Sequence, residues 1–476
     1  MKFNEPIIPP MPLDMQEATR WNHTRMRRRM LDGLWEQDLK NRLAQHLGTT
    51  RKEAYGAIDM SSNYFLDICT QLAVLYLKPP KVFHPDESAN DLIGARGILH
   101  KAGLWPDMRR FQIWVLGCRE YLMRIHVDPE KGTSFRPVPP DMVHCKSDPD
   151  DPSRPIAIAE LRQREDPNGK LIWTWDVLDI SDSFNPTYKV LSNQGFYQDK
   201  AVDLTEQYLG RDMSGFNYPY TDSEGRPFLP YVVYHAERMG DRMWDCTEWR
   251  EILEGSLNLS VGYTMWYAVL RQASWPQRWL ANARISGMDL SPGESPRTEV
   301  ITDPSTVLCL ESMEDGVPVQ VGQWNPGADI EKMHRSLMDA GSRMAMQAGL
   351  NPSDIQRQTG NARSGFAIAL SQSGRREQRL RFMPGAQRAD EELITKTAMM
   401  NNRAMGTSYP ETGYEVTYAE IELSSQEKEA RRRDVFERLD RGFISPAQAK
   451  SELSGLSISQ SARELKRARA LAAGLE

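Results

Sequence analysis

The chain has 476 residues, several times the usual size of one domain, so we expect at least two packed units. A hydrophobic content of 40%, with 12 Trp and 16 Tyr, excludes a disordered chain. The formal net charge of -6 argues against a protein that grips nucleic acid by neutralising many phosphates, because such proteins are normally basic. If this protein contacts DNA, we expect the contact to be loose.

Cysteine usage and the N-terminal segment bear on the cellular setting. The 5 cysteines are widely spaced and form no CxxC pair, which favours reduced thiols over a disulfide framework. Residues 1–13 are rich in proline and lack the apolar stretch of a signal peptide. No apolar run approaches the roughly 18 residues that span a bilayer, so we expect no membrane partner.

The first half of the chain changes from helical to β-rich patterning. Apolar spacing predicts helices over 15–47, 55–77 and 91–102, and Pro79-Pro80 stops the second of these. A short segment over 108–117 follows. From Glu120 to Tyr234, β-like runs alternate with Pro- and Asp-rich turns. This pattern predicts an antiparallel β-rich unit among helices.

The second half is dominated by long helices. The spacing predicts a helix over 244–273, a turn-rich β segment with candidate strands at 300–302, 307–310 and 317–322, and a helix over 328–348. The polar segment after Gly349 is predicted to be a loop. A very long helix is predicted from Ser364 to about Ala404.

Proline and serine positions refine the last third. Pro384 lies inside the long helical pattern, where proline removes one hydrogen bond and clashes with the preceding turn, so we expect a kink. A strand is predicted over 414–423. Ser425, Ser445-Pro446 and Ser459 are predicted to begin three C-terminal helices.

Motifs for catalysis and cofactor binding are missing from the sequence. It has no GxxxxGK[ST] P-loop, no GxGxxG after a strand, no HExxH and no EF-hand loop, so we expect no cofactor and no enzymatic activity. The best carboxylate cluster is Asp148, Asp150 and Asp151, which could hold metal ions in a nuclease. The flanking Pro149 and Pro152 favour an exposed turn instead.

The order of elements resembles the portal proteins of tailed double-stranded DNA bacteriophages, which form the head-to-tail connector ring. Three phrases carry the resemblance. Residues 63–80 are similar to the early portal helix that ends in a proline pair, and residues 361–367 to the small-residue start of the long portal helix. Residues 439–446 resemble the turn between the C-terminal portal helices.

The resemblance implies an α+β portal fold with a helical and β-rich wing, two stem helices flanking a small β-rich clip, a long kinked helix and a helical C-terminal crown. In chain order, it implies an N-terminal arm and wing over 1–243, a first stem helix over 244–275, a clip over 276–327, a second stem helix over 328–348, a channel loop over 349–363, the kinked helix and a wing strand over 364–424, and crown helices over 425–476.

The resemblance also implies a function. Twelve subunits would form a ring at one capsid vertex of the virion, assembled in the host cytoplasm, and double-stranded DNA would pass through it in packaging and ejection. The implied partners are the terminase large subunit, a head-tail adaptor and the major capsid or scaffolding protein. Because the ATP site of the motor lies in terminase, a chain without a P-loop fits this role.

Two groups of residues would face DNA in such a ring. The channel loop would contribute Gln356, Arg357, Gln358, Asn361 and Arg363, which either touch phosphates transiently or lie in solvent without contact. The second stem helix would contribute Asp329, Glu331, Lys332, Arg335, Asp339 and Arg343. Its acidic members either repel DNA from the wall or pair with the basic residues on the same helix.

Two other classes of function stay open at the level of sequence. One is a metal-dependent phage nuclease or other hydrolase centred on Asp148–Asp151, which metal-dependent cleavage of DNA would reveal. The other is a different structural virion protein, such as a tail or adaptor subunit. A filament or an open chain of subunits, rather than a closed ring, would favour that class.

Overall fold

The structure is a computed structural model with an α+β fold. It divides into one unit of Met1–Trp35, Asn63–Ser256 and Gly341–Glu476, and a second unit of Glu36–Ser62 and Leu257–Ala340. The residues it describes are 15–47, 58–192, 201–237, 242–245, 248–274, 277–285, 310–312, 318–324, 329–352, 365–419, 425–454 and 458–472. No helix among these residues is long and apolar enough to cross a membrane.

Most N-terminal helices are shorter than the apolar spacing predicted, whereas the last one is longer than the short segment at 108–117. They are α1 Met15–Leu31, α2 Glu36–Leu47, α3 Tyr64–Leu72, α4 Asn90–Ile93, α5 Ile98–Lys101 and α6 Leu104–Cys118. The single helix predicted over 15–47 is wrong, because Gly33 adopts a left-handed φ of 74° and separates α1 from α2. The helix predicted over 55–77 begins only at Tyr64, where the side chain of Asn63 accepts a hydrogen bond from the Leu66 amide.

The β-rich unit predicted between Glu120 and Tyr234 is confirmed. Its strands, with the preceding β1 and the inserted helix α7, are β1 Lys81–Phe83, β2 Glu120–Asp128, β3 Gly132–Val138, β4 Val143–Ser147, β5 Pro155–Glu165, β6 Leu171–Asp179, β7 Thr187–Ser192, α7 Thr205–Leu209, β8 Met213–Ser214 and β9 Tyr231–His235.

These strands form two antiparallel sheets, one in the order β3-β2-β9 and one in the order β4-β5-β6-β7-β8. Inward-facing residues of both sheets share one core, which contains Leu122, Ile158, Leu178 and Tyr231. The thiols of Cys69, Cys118 and Cys145 are buried rather than disulfide-bonded, as the sequence predicted for this part of the chain.

Next along the chain, four short strands lie between two helices. The elements are α8 Arg250–Ser274, β10 Gln277–Ala281, β11 Ala283–Ile285, β12 Leu310–Ser312, β13 Gln320–Trp324 and α9 Ile330–Gln347. Strand β10 pairs with β13 and β11 with β12, both antiparallel. Of the three predicted strands, the one at 300–302 lies outside the described residues. The other two overlap β12 and β13 in part.

Helix α8 begins six residues later than predicted for a physical reason. Trp249 has a left-handed φ of 60°, which a helix interior does not accept. Its side chain is buried against Phe382, with ring centroids 6.4 Å apart, and lies under the Arg119 guanidinium at 5.1 Å. Tertiary contacts therefore fix Trp249 outside the helix, although its position fits the apolar stripe.

The C-terminal third follows the prediction closely. The elements are α10 Gly365–Met405, β14 Glu415–Thr417, α11 Ser425–Asp440, α12 Pro446–Ser454 and α13 Ile458–Ala472. Ser445 caps α12 as expected, because its Oγ accepts a hydrogen bond from the Gln448 amide at 3.3 Å, while Gln448 accepts one from the Ser445 amide at 2.8 Å. The strand predicted over 414–423 is only three residues long here and pairs with β1.

Candidate functional site

Helices α8 and α9 pack as an antiparallel pair in the second unit. The Trp266 indole donates to the Ile330 carbonyl at 3.2 Å, and the Tyr263 hydroxyl contacts the Met338 sulfur at 3.6 Å. Gly262 permits a close approach, because a Cβ at that position would lie 2.5 Å from Leu337 Cδ2. The two predicted stem helices are thus paired through small and aromatic side chains.

The residues predicted to line a channel lie largely on one exposed face of α9. Lys332, Arg335, Asp339 and Arg343 follow each other at three- and four-residue steps, and all four are exposed. The opposite side of α9 carries Leu337, Gly341 and Met344, which are half-buried or buried. The helix therefore has the amphipathic form that its sequence predicted.

Two acidic residues at the start of α9 pair within the helix. Asp329 lies 3.0 Å from Lys332 Nζ, and Glu331 lies 2.9 Å from Arg335. The backbone amide of Lys332 also donates to Asp329, and this hydrogen bond, followed by the one from the Lys332 side chain, lowers the pKa of Asp329. These two carboxylates are thus paired with basic residues on the same helix.

The predicted channel loop begins where α9 ends. Gly349 has a left-handed φ of 73°, and the amides of Gly349 and Leu350 donate to the carbonyls of Met346 and Ala345 at 2.9 Å each. The five loop residues Gln356, Arg357, Gln358, Asn361 and Arg363 lie outside the described residues. Their contact with DNA stays a prediction.

Pro384 lies in the middle of α10, which continues on both sides of it. Next to the proline, Phe382 is buried, and Arg381 forms ion pairs with Glu237 at 2.5 Å and Glu248 at 3.2 Å. The helix is therefore held to the β-rich unit just before the position where its own hydrogen bonding is interrupted. The kink itself stays a prediction.

The buried carboxylate of Asp390, about one and a half helical turns beyond Pro384, accepts hydrogen bonds from three tyrosine hydroxyls. Asp390 accepts hydrogen bonds from Tyr76 at 2.9 Å, Tyr234 at 2.8 Å and Tyr418 at 2.7 Å. Burial raises the pKa of Asp390 to about 6, although the three hydroxyl donors act to lower it. The cluster joins α10 to three other segments. In the sequence, the cluster is indicated only by an aspartate among apolar helix positions, since the neighbouring Ala389 and Leu393 are both buried.

A second buried polar cluster joins the two sheets. Arg124 on β2 lies 2.8 Å from Glu160 and 3.0 Å from Asp176, and both carboxylates are fully buried. Arg162 and Arg164 also pair with Asp176, at 3.0 and 2.7 Å. These arginines hold the pKa of Asp176 at about 2, against the opposing effect of burial. Sequence reasoning missed this cluster, because its members are far apart in the chain.

The aspartate cluster considered for a nuclease forms a turn. Asp148 accepts a hydrogen bond from the Asp150 amide at 2.9 Å, and Asp151 accepts one from the Ser153 hydroxyl at 2.5 Å. Across the described residues, no group of three potential metal-binding side chains comes together. The turn predicted from Pro149 and Pro152 is therefore the better description of this segment.

The aspartate turn borders a cavity of about 330 Å³ between the β-rich unit and α10, whose lining includes Asp151, Ser153, His235, Arg388 and Lys396. Two of its basic residues form ion pairs, with Lys396 2.7 Å from Glu392 and Arg388 3.8 Å from Asp151. The Ser153 hydroxyl donates to Asp151 rather than to a histidine. The His235 ring forms a hydrogen bond with the backbone of Ser153.

Comparison with known proteins finds similar chains among solved structures. No protein-family model matches the chain, and no curated protein matches it. Among solved structures, a chain from the neck of an empty GTA particle, computed with C6 symmetry, is 13% identical, with a TM-score of 0.38. The match covers 83% of this chain and 89% of that chain. A likeness at this level does not assign a function.

Proposed function

We propose that this protein is a portal subunit, which forms a ring-shaped channel for double-stranded DNA at one vertex of a phage capsid. The order of elements carries the proposal. A β-rich body leads into α8, two nested antiparallel strand pairs, the returning helix α9, the long helix α10 and the terminal helices. The portal resemblance in the sequence requires this order, with two paired stem helices around a small β-rich clip.

The exposed face of α9 suits a wall along which DNA slides. Its acidic residues near the N-terminus are paired with Lys332 and Arg335, so the face offers few unpaired charges there. Exposed pairs of this kind contribute little energy and are screened by salt. A wall with balanced charge lets a polyanion move because no tight phosphate contact has to break at each step.

The proposal assigns the chemistry of packaging to other proteins. Terminase would supply ATP hydrolysis, and the strand pairs between α8 and α9 would dock terminase during packaging and the head-tail adaptor afterwards. The capsid or scaffolding protein would contact the outer body of the ring. No described residue group is assigned a catalytic role.

The test is the mass and symmetry of the purified protein, measured by light scattering and negative-stain class averages. A closed ring with a central hole wide enough for duplex DNA is expected. A stable monomer or dimer at high concentration would refute the proposal. A filament would favour another structural virion protein, and metal-dependent cleavage of added DNA would favour a nuclease.

A further inference from the structure

The last helix, α13, presents a row of cations to solvent. Arg463, Lys466 and Arg467 follow each other at steps of three residues and one residue, which places them on one face of the helix, and all three are exposed. At about 100° per residue, Ser461 lies on the opposite side, where it is fully buried. Packing of α13 therefore leaves the three cations in solvent. We call Arg463, Lys466 and Arg467 the basic face.

The protein itself does not neutralise the basic face. Glu464 is the one acidic residue in the sequence of α13, and it lies 2.8 Å from Lys450 on α12. Within the part of the chain that the structure describes, none of the three cations of the basic face forms an ion pair. Three positive charges therefore stay uncompensated on a chain whose net charge is -6.

Helix α11, in the same C-terminal region, shows the opposite arrangement. Three of its basic residues each form an ion pair with the acidic residue four positions earlier, namely Arg433, Arg438 and Arg441. In α13, the positions four residues before the basic face are occupied by Ser459, Ala462 and Arg463. Like charges at such spacing repel and destabilise a helix. A local rule that is broken in this way, at a cost to the helix, points to a role outside folding.

The chemistry of the basic face fits a phosphodiester backbone. Guanidinium groups, which Arg463 and Arg467 supply, bind phosphate oxygens through two parallel hydrogen bonds. Binding to a nucleic acid backbone is driven by release of counterions and needs no apolar contact. A protein partner normally buries an apolar centre, but the exposed Ile458 of α13 lies on another side of the helix. The basic face therefore fits a nucleic acid better than a protein.

We propose that the basic face of α13 binds the phosphate backbone of duplex DNA without regard to base sequence. The inference deepens the proposed function and rests on it for the choice of DNA as the polyanion. In a ring, the basic face would be repeated once in every subunit, which multiplies a contact that is weak in one copy. It would add a second set of cations to those of the channel loop.

The experiment compares two full-length variants that each lose two arginines. Arg463→Gln with Arg467→Gln removes cations of the basic face, and Arg433→Gln with Arg441→Gln removes cations that are already paired on α11. Binding of a fluorescein-labelled duplex of roughly 30 base pairs is measured by anisotropy between about 50 and 200 mM NaCl. Because the two variants have the same net charge, a difference between them reports the location of the charges.

The basic-face variant is expected to bind the duplex about tenfold or more weakly at the lowest salt concentration. The slope of log Kd against log salt should fall by at least about two units, roughly one for each lost phosphate contact. The α11 variant should keep the wild-type slope. The melting temperature of the basic-face variant should not fall below that of wild type, since the two substitutions remove mutual repulsion.

Polyglutamate added as a competitor distinguishes DNA from an acidic protein surface. Its carboxylates are spaced more widely than the phosphates of a duplex, so it is expected to displace the duplex only at about tenfold or higher charge concentration. Displacement at an equal charge concentration would overturn the assignment to DNA.

The outcomes separate this inference from the proposed function. Rings of the basic-face variant that bind the duplex as tightly as wild type would refute the inference and leave the portal proposal standing. An equal loss of affinity in both variants would show a dependence on net charge alone and would also refute it. A wild-type protein that stays monomeric, but loses duplex binding when the basic face is substituted, would refute the portal proposal and leave the DNA-binding face in place.

Discussion

At the scale of residues, this protein places charged groups in its interior and satisfies them there. Arg124, Glu160 and Asp176 bridge the two sheets, and Asp390 receives three tyrosine hydroxyls. Buried ion pairs add little net stability compared with apolar packing, but removing one partner leaves an uncompensated charge. These clusters therefore fix the relative placement of the elements they join more than they stabilise the fold.

Replacing Arg124 with Met should lower the free energy of unfolding by roughly 3–5 kcal/mol, since Glu160 and Asp176 would lose their shared partner in a dry environment. Arg162→Met is the matched control. Arg162 binds the same Asp176 at 3.0 Å, but its side chain is 33% exposed, so its loss should cost below about 1 kcal/mol. Urea titration of both variants measures the difference, and equal losses would contradict the argument.

The Asp390 cluster predicts a pH effect with a definite sign. Its pKa is raised to about 6 by burial, above the ordinary value of 3.8, so the folded protein keeps a proton that the unfolded chain releases first. The stability from protonated Asp390 is complete below about pH 4 and is lost as the pH rises through about 6. We expect a loss of roughly 1–3 kcal/mol over this window.

Asp390→Asn is the comparison for this effect, because asparagine is neutral at every pH and similar in shape. Wild type should lose stability relative to Asp390→Asn between pH 4 and pH 7, and the two melting temperatures measured in parallel report it. Tyr234→Phe, which keeps the carboxylate, should retain the wild-type direction of the pH effect. A wild-type-to-variant difference that is constant with pH would show that Asp390 does not titrate in this range.

At the scale of elements, sequence periodicity predicted the type of most segments but not all of their ends. The β-rich unit, the helix pair, the long helix and the Ser445 cap follow from apolar spacing and turn chemistry. The break at Gly33 and the late start of α8 do not, because an apolar stripe carries no information on the φ of Gly33 or Trp249. Tertiary packing decides such ends.

Within the candidate site, too, the sequence predicts some features and not others. The exposed face of α9 was predictable from its charged residues, since helical spacing alone places them together. The Asp390 cluster was not, because it joins residues whose contact depends on strand pairing and on helix packing. Tyr76 and Tyr418, for example, meet Asp390 from opposite ends of the chain.

The contact between α8 and α9 predicts that one substitution has opposite effects on stability in two backgrounds. Gly262→Ala should lower stability by roughly 1–3 kcal/mol, since the added methyl would lie 2.5 Å from Leu337 Cδ2. In a Leu337→Ala background that obstacle is gone, and the same substitution should stabilise by up to about 1 kcal/mol, the helical preference of Ala over Gly. A double-mutant cycle measures the coupling. Equal effects in both backgrounds would contradict the close contact.

At the scale of the whole molecule, the net charge of -6 sets what the protein can do with DNA. In the proposed function, a ring of such subunits would repel duplex DNA at long range, and salt would limit that repulsion to about 10 Å. Attraction then has to come from local groups inside the channel. In the proposed function, Arg357 and Arg363 of the channel loop are the basic residues that would supply it.

Replacing Arg357 and Arg363 together with Ala should therefore leave the mass and symmetry of the ring unchanged while reducing the DNA retained in assembled particles. Each arginine that contacts a phosphate adds about one unit to the dependence of retention on salt, so the variant should respond less steeply to added salt. Nuclease-protected DNA per particle, measured across a salt series, reports both effects. Lys332→Ala with Arg335→Ala is the control, because these cations are already paired on α9 and should change retention little. Retention that is identical in the loop variant and in wild type would remove the channel loop from the mechanism and leave the wall alone to guide DNA.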